Sequence, residues 1–313
     1  MSASLSGPRY GQAGPLSNEP PPLEELIPPG TRKDSGFLLS VLNGNDIVSM
    51  TMERYLIGVL CAEMPASFEP EALKAQAVAA RTNVMYNMNV AKKAKHPDAD
   101  VCTDPNCCAA YRSDELLREK WGRNYVRYIT KIIDAVVETD GICMSYEGSP
   151  ICAFFHSSSA GKTETSGNVW VTDLPYLLCV SSPETAEDVP DFIVSVPVTR
   201  ADFIDTVLTI YPDAVLDGSG ESWISDITYT ESGRILDLSI GGVTVKGTEL
   251  RSMFGLRSTA VTISWYQGDI VFTTTGYGHG VGMSQYGANV MAADGKNFME
   301  ILNHYYSGIT LNS

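Results

Sequence analysis

The sequence predicts an α+β fold, in which helices and mainly antiparallel strands share one core and a smaller lobe is inserted. Helix-like and strand-like segments follow one another in mixed order rather than in regular β-α-β units, and no internal repeat is evident. The 313 residues, 44% of them hydrophobic, can bury one large domain or two modest ones. We expect the core to comprise residues 36–183 and 256–313, with the lobe between them at 184–255.

Residues 1–35 have the composition of a disordered, proline-rich arm. Pro20-Pro21-Pro22 and Pro28-Pro29 lie among glycine, serine and glutamate, a mixture that favours extended chain over core. No charged stretch followed by an apolar one is visible, and no segment approaches the roughly 20 apolar residues of a membrane span. No anchor or signal peptide is visible, so we expect either that the protein is not exported or that its targeting segment is absent from this chain.

The chain is acidic, with a formal net charge of -15. Because it has no field of Lys and Arg to neutralise phosphates, we do not expect nucleic acid or an anionic membrane surface as its main partner. Neutral or zwitterionic polymers such as glycans stay open.

Folded structure is expected to begin near Phe37 with a β-hairpin. Apolar runs at 37–42 and 46–50 flank Asn43-Gly44-Asn45, which is typical of a tight hairpin turn. Thr51 then suits the N-cap of the first long helix.

Glu63 lies on the apolar stripe of that helix, close to its end. Leu56, Val59 and Leu60 recur at helical spacing with it, and Met64-Pro65 should stop the helix just after it. Burial and the negative end of the helix dipole both disfavour a carboxylate anion and raise its pKa, which is what a general acid at neutral pH needs. The segment alone is equally compatible with a partly exposed glutamate near a helix end.

A second, alanine-rich helix is predicted from Pro70, a favourable first helical position, to Tyr86. Lys74 and Arg81 lie two helical turns apart on one of its faces. We assign them to substrate positioning or structural support, and the alternative is a solvated face.

The later elements alternate without a regular pattern. A helical stretch is predicted at 114–140, interrupted near Gly122, and is followed by strands at 142–146 and 151–155. After the lobe of short strands and one helix, strands are predicted at 261–265 and 270–274, then a glycine-rich loop and a closing helix.

Two histidine-containing loops are candidate binding elements. His279 stands among four glycines in the segment 276–282, which lets backbone and imidazole approach a ligand closely. His156 precedes a run of serines that includes Ser158, just after a predicted strand, where loops commonly carry function. Either histidine could instead stabilise a turn.

A third cluster has the composition of a metal site. His96, Cys102, Cys107 and Cys108 lie close together in a proline-containing stretch and resemble a zinc site of the Cys₃His kind. Adjacent Cys107 and Cys108 are not expected to ligate one ion together easily, and a Cys102–Cys108 disulfide is the alternative. The remaining thiols, of seven cysteines in all, lie in apolar surroundings and are expected to be buried: Cys61, Cys143, Cys152 and Cys179.

Six motifs in the same order along the chain resemble the core of stage II sporulation protein D and its relatives. The resemblance runs from about residue 37 to the C-terminus, and six ordered motifs are far more specific than any one of them. The motifs are Val59–Phe68, Leu73–Thr82, Phe155–Gly161, Pro175–Leu177, Lys246–Arg251 and Gly278–Gly287.

The resemblance implies a lytic transglycosylase that cleaves peptidoglycan glycan strands between N-acetylmuramic acid and N-acetylglucosamine, with a preference for strands stripped of stem peptides. Glu63 matches the family's catalytic residue. A hydrolysing glycosidase generally needs two carboxylates, whereas only one stands in a recognisable motif here. Glu63 would therefore act first as acid and then as base, with the C6 hydroxyl of muramic acid attacking C1 to give a 1,6-anhydro product.

Further expectations come from the same resemblance. A family member carries zinc near the active site through ligands that match His96, Cys102 and Cys108, whereas Cys107 stands where the family often has histidine. The candidate substrate-binding residues are Lys74, Arg81, His156, Ser158, Tyr277, His279, Gln285 and Tyr286.

The resemblance also implies a cellular setting. The family acts during engulfment of the forespore, at the extracytoplasmic face of the mother cell's engulfing membrane. Its partners there are a sporulation amidase-endopeptidase and a membrane scaffold protein. Family members usually have a transmembrane anchor where this chain has its proline-rich arm.

Two other functions stay open from the sequence. A zinc amidase could use His96, His156 or His279 as ligands and Glu63 as base, although thiolate-rich clusters are typical of closed, structural zinc. A non-catalytic, amidase-enhancing cell-wall module would use Glu63 only to bind sugar.

Overall fold

A computed structural model of the chain describes residues 20–170 and 172–312. Two short 3₁₀ turns, at Gly122–Asn124 and Gly220–Ser222, accompany the α-helices. The helices are α1 (Leu23–Leu26), α2 (Lys33–Gly36), α3 (Met52–Glu63), α4 (Pro70–Asn89), α5 (Asp114–Trp121), α6 (Tyr125–Glu138), α7 (Ser166–Val169), α8 (Arg200–Ile210), α9 (Gly247–Met253), α10 (Gln285–Ala293) and α11 (Phe298–Tyr305).

The strands are short and distributed over several small sheets, mostly with antiparallel pairing. The α+β class predicted from the sequence is confirmed. The strands are β1 (Leu38–Asn43), β2 (Asp46–Thr51), β3 (Val101–Cys102), β4 (Cys143–Tyr146), β5 (Ser149–Pro150), β6 (Phe155–His156), β7 (Ile193–Val198), β8 (Ile224–Ser225), β9 (Asp237–Ile240), β10 (Val243–Lys246), β11 (Val261–Tyr266), β12 (Asp269–Thr275), β13 (Met283–Ser284) and β14 (Thr310–Asn312).

The predicted hairpin and the helix after it form as expected. β1 and β2 pair in antiparallel register around a turn in which Gly44 has φ +63°, a conformation that glycine adopts without steric cost. The Thr51 side chain caps α3 by accepting a hydrogen bond of 3.2 Å from the backbone N–H of Arg54. β3 adds to β1 in parallel, so the Cys/His segment is attached to the sheet that precedes the Glu63 helix.

Helix α4 lies at the centre of the main hydrophobic cluster, where it packs against α3, α6, α10 and α11. Its alanines are buried throughout, and small side chains allow neighbouring helices to approach closely. The interruption predicted near Gly122 is present: α5 ends at Trp121, Gly122 has φ +49°, and α6 begins at Tyr125.

A second hydrophobic cluster comprises side chains from Phe203 to Phe272. Strand β12 pairs with β11 on one side and with β7 on the other, and β11 and β12 contribute Val261, Ile270 and Phe272 to this cluster. These two strands were expected to return to the core after residue 255. They pack in the lobe instead, because their apolar faces meet the lobe's helix and strands, and the main cluster resumes near Val281.

The N-terminal arm differs from its prediction over its described part. Residues 1–19 lie outside the described residues, but α1 and α2 precede the expected start near Phe37. Leu23 is 2% exposed in the main cluster, and the Asp34 carboxylate pairs with Arg81 at 2.6 Å. These two anchors hold a segment whose proline content alone suggested disorder.

The strand predicted at 151–155 is also only partly present, because β6 is limited to Phe155–His156. It pairs in parallel with β13, which brings the two predicted histidine loops side by side. No helix among the described residues is both long and apolar enough to cross a membrane.

Candidate functional site

Glu63 lines a cleft of ≈ 520 Å³ that lies between the end of α3 and the loops around β6 and β13. One wall is the Cys/His segment, and the other is aromatic. The lining residues are Glu63, Asn83, Asn87, Lys93, Pro105, Asn106, Cys107, Cys108, Cys152, Phe154, Phe155, Trp170 and His279. Among these described lining residues, Glu63 is the only carboxylic acid.

The Glu63 carboxyl group is partly buried and has one hydrogen-bond donor among the described residues. The backbone N–H of Ala110 donates to Oε1 at 2.8 Å. Burial raises the pKa of Glu63 above its ordinary value of 4.5, and the Ala110 hydrogen bond opposes that rise. A glutamic acid that stays protonated to higher pH is suited to donate a proton.

The segment after the Cys/His cluster is held along α3 by close packing at Gly58. The Tyr111 ring lies where a side chain at Gly58 would be, since a Cβ there would come within 2.1 Å of Tyr111 Cε2. The N–H of Arg112 donates to the Gly58 carbonyl at 3.1 Å, and Tyr111 stacks on Tyr55. This packing positions the Ala110 N–H at the Glu63 carboxylate.

His96, Cys102, Cys107 and Cys108 converge so that their ligand atoms all lie within 4.8 Å of one another. His96 Nε2 lies 3.2 Å from the Cys108 sulfur, while its Nδ1 donates to the Ala99 carbonyl at 3.0 Å. Both adjacent cysteines therefore reach the cluster, contrary to the expectation that only one would. All seven cysteines, including Cys102 and Cys108, are free thiols, so the alternative disulfide is not formed.

The donor set fits a closed zinc site. Three thiols and one imidazole are the ligands of structural Zn²⁺, and the Nδ1 hydrogen bond fixes the tautomer that leaves Nε2 free to coordinate. Among the described residues, this is the only group of three or more His, Cys, Asp or Glu side chains with such convergence.

The opposite wall of the cleft is formed by His279 and two aromatic rings. Trp170, which is 37% exposed, stacks on Phe154 at 4.3 Å between centroids and lies 5.0 Å from the His279 ring. His279 Nδ1 accepts the backbone N–H of Val281 at 3.1 Å. Burial and the nearby Arg251 and Arg234 lower the pKa of His279 to about 4, so the ring is neutral at physiological pH.

His156 supports this wall rather than lining the cleft. Burial lowers its pKa well below the ordinary value of 6.5. Its Nδ1 donates to the Val281 carbonyl, which leaves Nε2 to accept the Ser159 hydroxyl at 2.6 Å. The Ser159 N–H in turn donates to buried Glu184 at 2.6 Å. Sequence analysis missed Glu184.

Lys74 and Arg81 lie away from the cleft and are engaged in ion pairs. Lys74 contacts the carboxylates of Glu71 and Glu138, each at 2.6 Å. Arg81 is 1% exposed and pairs with Asp34. Of the two roles expected for Arg81, the buried ion pair fits structural support rather than substrate positioning. Its spacing from Lys74 could not reveal that the N-terminal arm supplies an internal partner.

Four other predicted substrate residues also lie outside the Glu63 cleft. Ser158 is buried and pairs through its backbone with Tyr277. Tyr277 is exposed in a separate cleft, beneath the guanidinium of Arg257. Gln285 is buried at the start of α10, and Tyr286 packs edge-on against Phe68. Of the eight predicted substrate-binding residues, His279 is the one that lines the cleft with Glu63.

Asn83, Asn87, Lys93 and Trp170 line the cleft but were not singled out from the sequence. Asn83 exchanges two hydrogen bonds of 2.8 Å with the backbone of Ala153 and so holds the segment that carries Phe154. The sequence did contain a signal for the two asparagines. Asn83 and Asn87 lie one helical turn apart in an alanine-rich helix, where asparagine is unfavourable unless its side chain has a partner.

Comparison with known proteins gives the same family as the sequence motifs for the part of the chain that holds Glu63. The family model for the stage II sporulation protein SpoIID matches residues 43–146. Stage II sporulation protein D of Bacillus amyloliquefaciens is 36% identical over 272 residues, which cover 86% of this chain and 76% of that protein.

Two proteins of Bacillus subtilis (strain 168) are also similar. Its stage II sporulation protein D is 38% identical over 269 residues, covering 85% of this chain and 76% of that protein. Its amidase enhancer is 29% identical over 316 residues, covering 82% of this chain but 40% of that longer protein.

Proposed function

Because the chain belongs to the stage II sporulation protein D family, we propose that it is a sporulation enzyme of the cell wall. Its reaction is that of a lytic transglycosylase: cleavage of peptidoglycan glycan strands between N-acetylmuramic acid and N-acetylglucosamine to 1,6-anhydro products. Peptide-stripped strands are its substrate.

One observation carries the proposal: Glu63 is the single carboxylic acid among the described residues lining its cleft. Inverting and retaining hydrolases place a second carboxylate across the sugar from the first. A site with one carboxylate supports a reaction in which the sugar's own hydroxyl takes the part of water or of an enzyme nucleophile.

Glu63 acts in two steps. Its raised pKa favours the protonated carboxyl group, which donates its proton to the glycosidic oxygen as the C1–O bond breaks and the glucosamine end leaves. The resulting carboxylate then accepts the proton of the muramic C6 hydroxyl, whose oxygen forms the new bond to C1. The carboxyl group returns to its protonated state, and no water is consumed.

The cleft walls orient the sugar for this reaction. Trp170 offers an exposed indole face, and aromatic faces commonly stack on the apolar face of pyranose rings. His279 is neutral, so it contributes hydrogen bonding without a positive charge that would lower the pKa of Glu63.

Zinc, held by His96, Cys102, Cys107 and Cys108, has a structural role in this proposal. When bound, the ion would cross-link the loop that precedes Ala110. Four protein ligands leave no open coordination position, which argues against a zinc amidase. His156 and His279 belong to the opposite wall and do not join the metal cluster.

The proposed setting is the extracytoplasmic face of the mother cell's engulfing membrane. Partners there would be a sporulation amidase-endopeptidase, which would supply peptide-free strands, and a membrane scaffold protein. Support for this setting is the sporulation family to which the chain belongs.

Product analysis of purified peptide-free strands tests the function. The wild-type chain should release fragments with 1,6-anhydromuramic ends, detected by mass spectrometry, and Glu63→Gln should release none. Glu187→Gln, an exposed glutamate outside the cleft, is the matched control and should retain activity. Stem peptides released from intact peptidoglycan would instead indicate an amidase. Binding without products would indicate a non-catalytic cell-wall module that enhances an amidase.

A further inference from the structure

Two more clefts continue the Glu63 cleft along the protein surface. Trp170 lines both the Glu63 cleft and a second cleft of ≈ 580 Å³ at the junction with the lobe. Thr248 lines this second cleft and a third of ≈ 400 Å³. The three therefore follow one another, with a shared residue at each step.

The second and third clefts are lined by positive side chains, although the chain as a whole has a net charge of -15. Lys246 lies in the second cleft, and Arg251 and Arg257 lie in the third. We call these three residues the basic track. Lys246 and Arg251 are the first and last residues of one of the six motifs that carry the family resemblance, and neither residue lines the Glu63 cleft.

Arg234 places a further positive charge beneath the second cleft. Its side chain is 1% exposed, and its Nε, Nη1 and Nη2 have no hydrogen-bond partner among the described residues. The guanidinium lies under Gly280, where a Cβ would come within 2.6 Å of Arg234 Cζ. A buried cation without a hydrogen-bonded partner is costly, and a bound anion nearby would offset that cost.

Acidic groups offset part of the positive charge of the second cleft, which Glu164 and Asp237 also line, whereas the described lining residues of the third cleft include no acidic residue. Glu164, which also lines the second cleft, is committed to four internal donors: the Thr165 N–H, Asn168, Thr230 and Ser232. Asp237 lines the same cleft. Asp191 lies 3.9 Å from Arg257 but is largely exposed, so solvent screens that pair.

We propose that the basic track binds the lactyl carboxylates of a peptide-free glycan strand while the scissile bond lies at Glu63. This inference rests on the proposed function. Each N-acetylmuramic acid carries a lactyl group that ends in a free carboxylate only when no stem peptide is attached. An attached peptide converts this carboxylate to an amide, which removes the charge next to the sugar and adds bulk, so the track selects stripped strands by electrostatics as well as by size.

Equilibrium binding in the Glu63→Gln background tests the inference without cleavage. One ligand is peptide-free glycan strands, and the other is the same strands with their lactyl carboxyls reduced to alcohols. Reduction should weaken binding about tenfold, the effect of losing a hydrogen bond to a charged group. Adding Lys246→Gln and Arg251→Gln should remove this difference. Adding Lys162→Gln and Lys296→Gln, two exposed lysines outside the track with the same change in net charge, should preserve it.

The outcomes separate the two proposals. Equal binding of native and reduced strands, or full discrimination retained without Lys246 and Arg251, overturns the carboxylate track but leaves the transglycosylase proposal standing. Failure of both strands to bind overturns both. If product analysis shows that Glu63→Gln cleaves the strands as the wild-type chain does, the catalytic role of Glu63 is overturned, whatever the binding comparison shows.

Discussion

The Ala110 backbone N–H donates a hydrogen bond of 2.8 Å to Oε1 of Glu63, and Ala110 follows the Cys/His cluster by two residues. The cluster and the acid are therefore connected by a short, tightly packed segment. Whatever fixes the cluster also fixes the donor that faces the carboxyl group.

The first prediction concerns this connection. Cys102→Ser should lose bound zinc, as measured by elemental analysis of the purified protein, and should lower kcat about tenfold or more through misplacement of the segment at Glu63. Cys179→Ser, which alters a free thiol outside the cluster, should keep both metal and activity. Unchanged zinc content in Cys102→Ser would show that the cluster does not hold the ion.

The second prediction concerns pH. Because Glu63 must be protonated to act as an acid, kcat/KM should fall as pH rises through its pKa, with a midpoint above the ordinary 4.5. Lys93→Glu replaces a cation that lines the cleft with an anion, which should raise the pKa of Glu63. The descending limb of the pH profile of kcat/KM should therefore move to higher pH by roughly half a unit. Lys92→Glu makes the same change in net charge on an exposed neighbour that does not line the cleft, and it should leave the limb in place. Equal shifts in both variants would refute a local effect at Glu63.

The third prediction concerns the aromatic wall. Trp170→Ala should raise KM for glycan strands about tenfold with a smaller change in kcat, because it removes a stacking face but not the acid. Tyr266→Ala, at a position 67% exposed on the lobe, is the control for loss of a surface aromatic ring. A KM that stays at the wild-type value would remove Trp170 from the binding site.

The fourth prediction separates stability from binding at Arg81. Arg81→Met leaves the Asp34 carboxylate buried without its partner and should lower the free energy of unfolding by about 3 kcal/mol in urea titration. KM of the folded protein should be unchanged, since Arg81 lies outside the cleft. A raised KM with unchanged stability would restore the substrate-binding interpretation.

Local features were predictable from the sequence because they depend on near neighbours. The Asn-Gly turn, the Thr51 cap, the proline at the start of α4 and the break at Gly122 all follow from backbone preferences. Glu63 could be found in the same way, since helical spacing alone places it on an apolar stripe.

Long-range partners were not predictable in this way. In the sequence Arg81 has the features of a functional residue, and only the fold shows that it pairs with Asp34. His156 likewise bonds to the Val281 carbonyl, in a loop more than a hundred residues away. Trp170 carried no periodic signal, because it follows the short helix α7 and gains its role only from Phe154 and His279 beside it.

Cleavage in water enriched with oxygen-18 tests most directly whether Glu63 serves as both acid and base without a second carboxylate. Intramolecular attack by the C6 hydroxyl predicts that the new muramic ends contain no oxygen-18 and are lighter by one water than hydrolysed ends. Incorporation of one solvent oxygen at C1 in the products of the wild-type chain would contradict the account and identify a hydrolase.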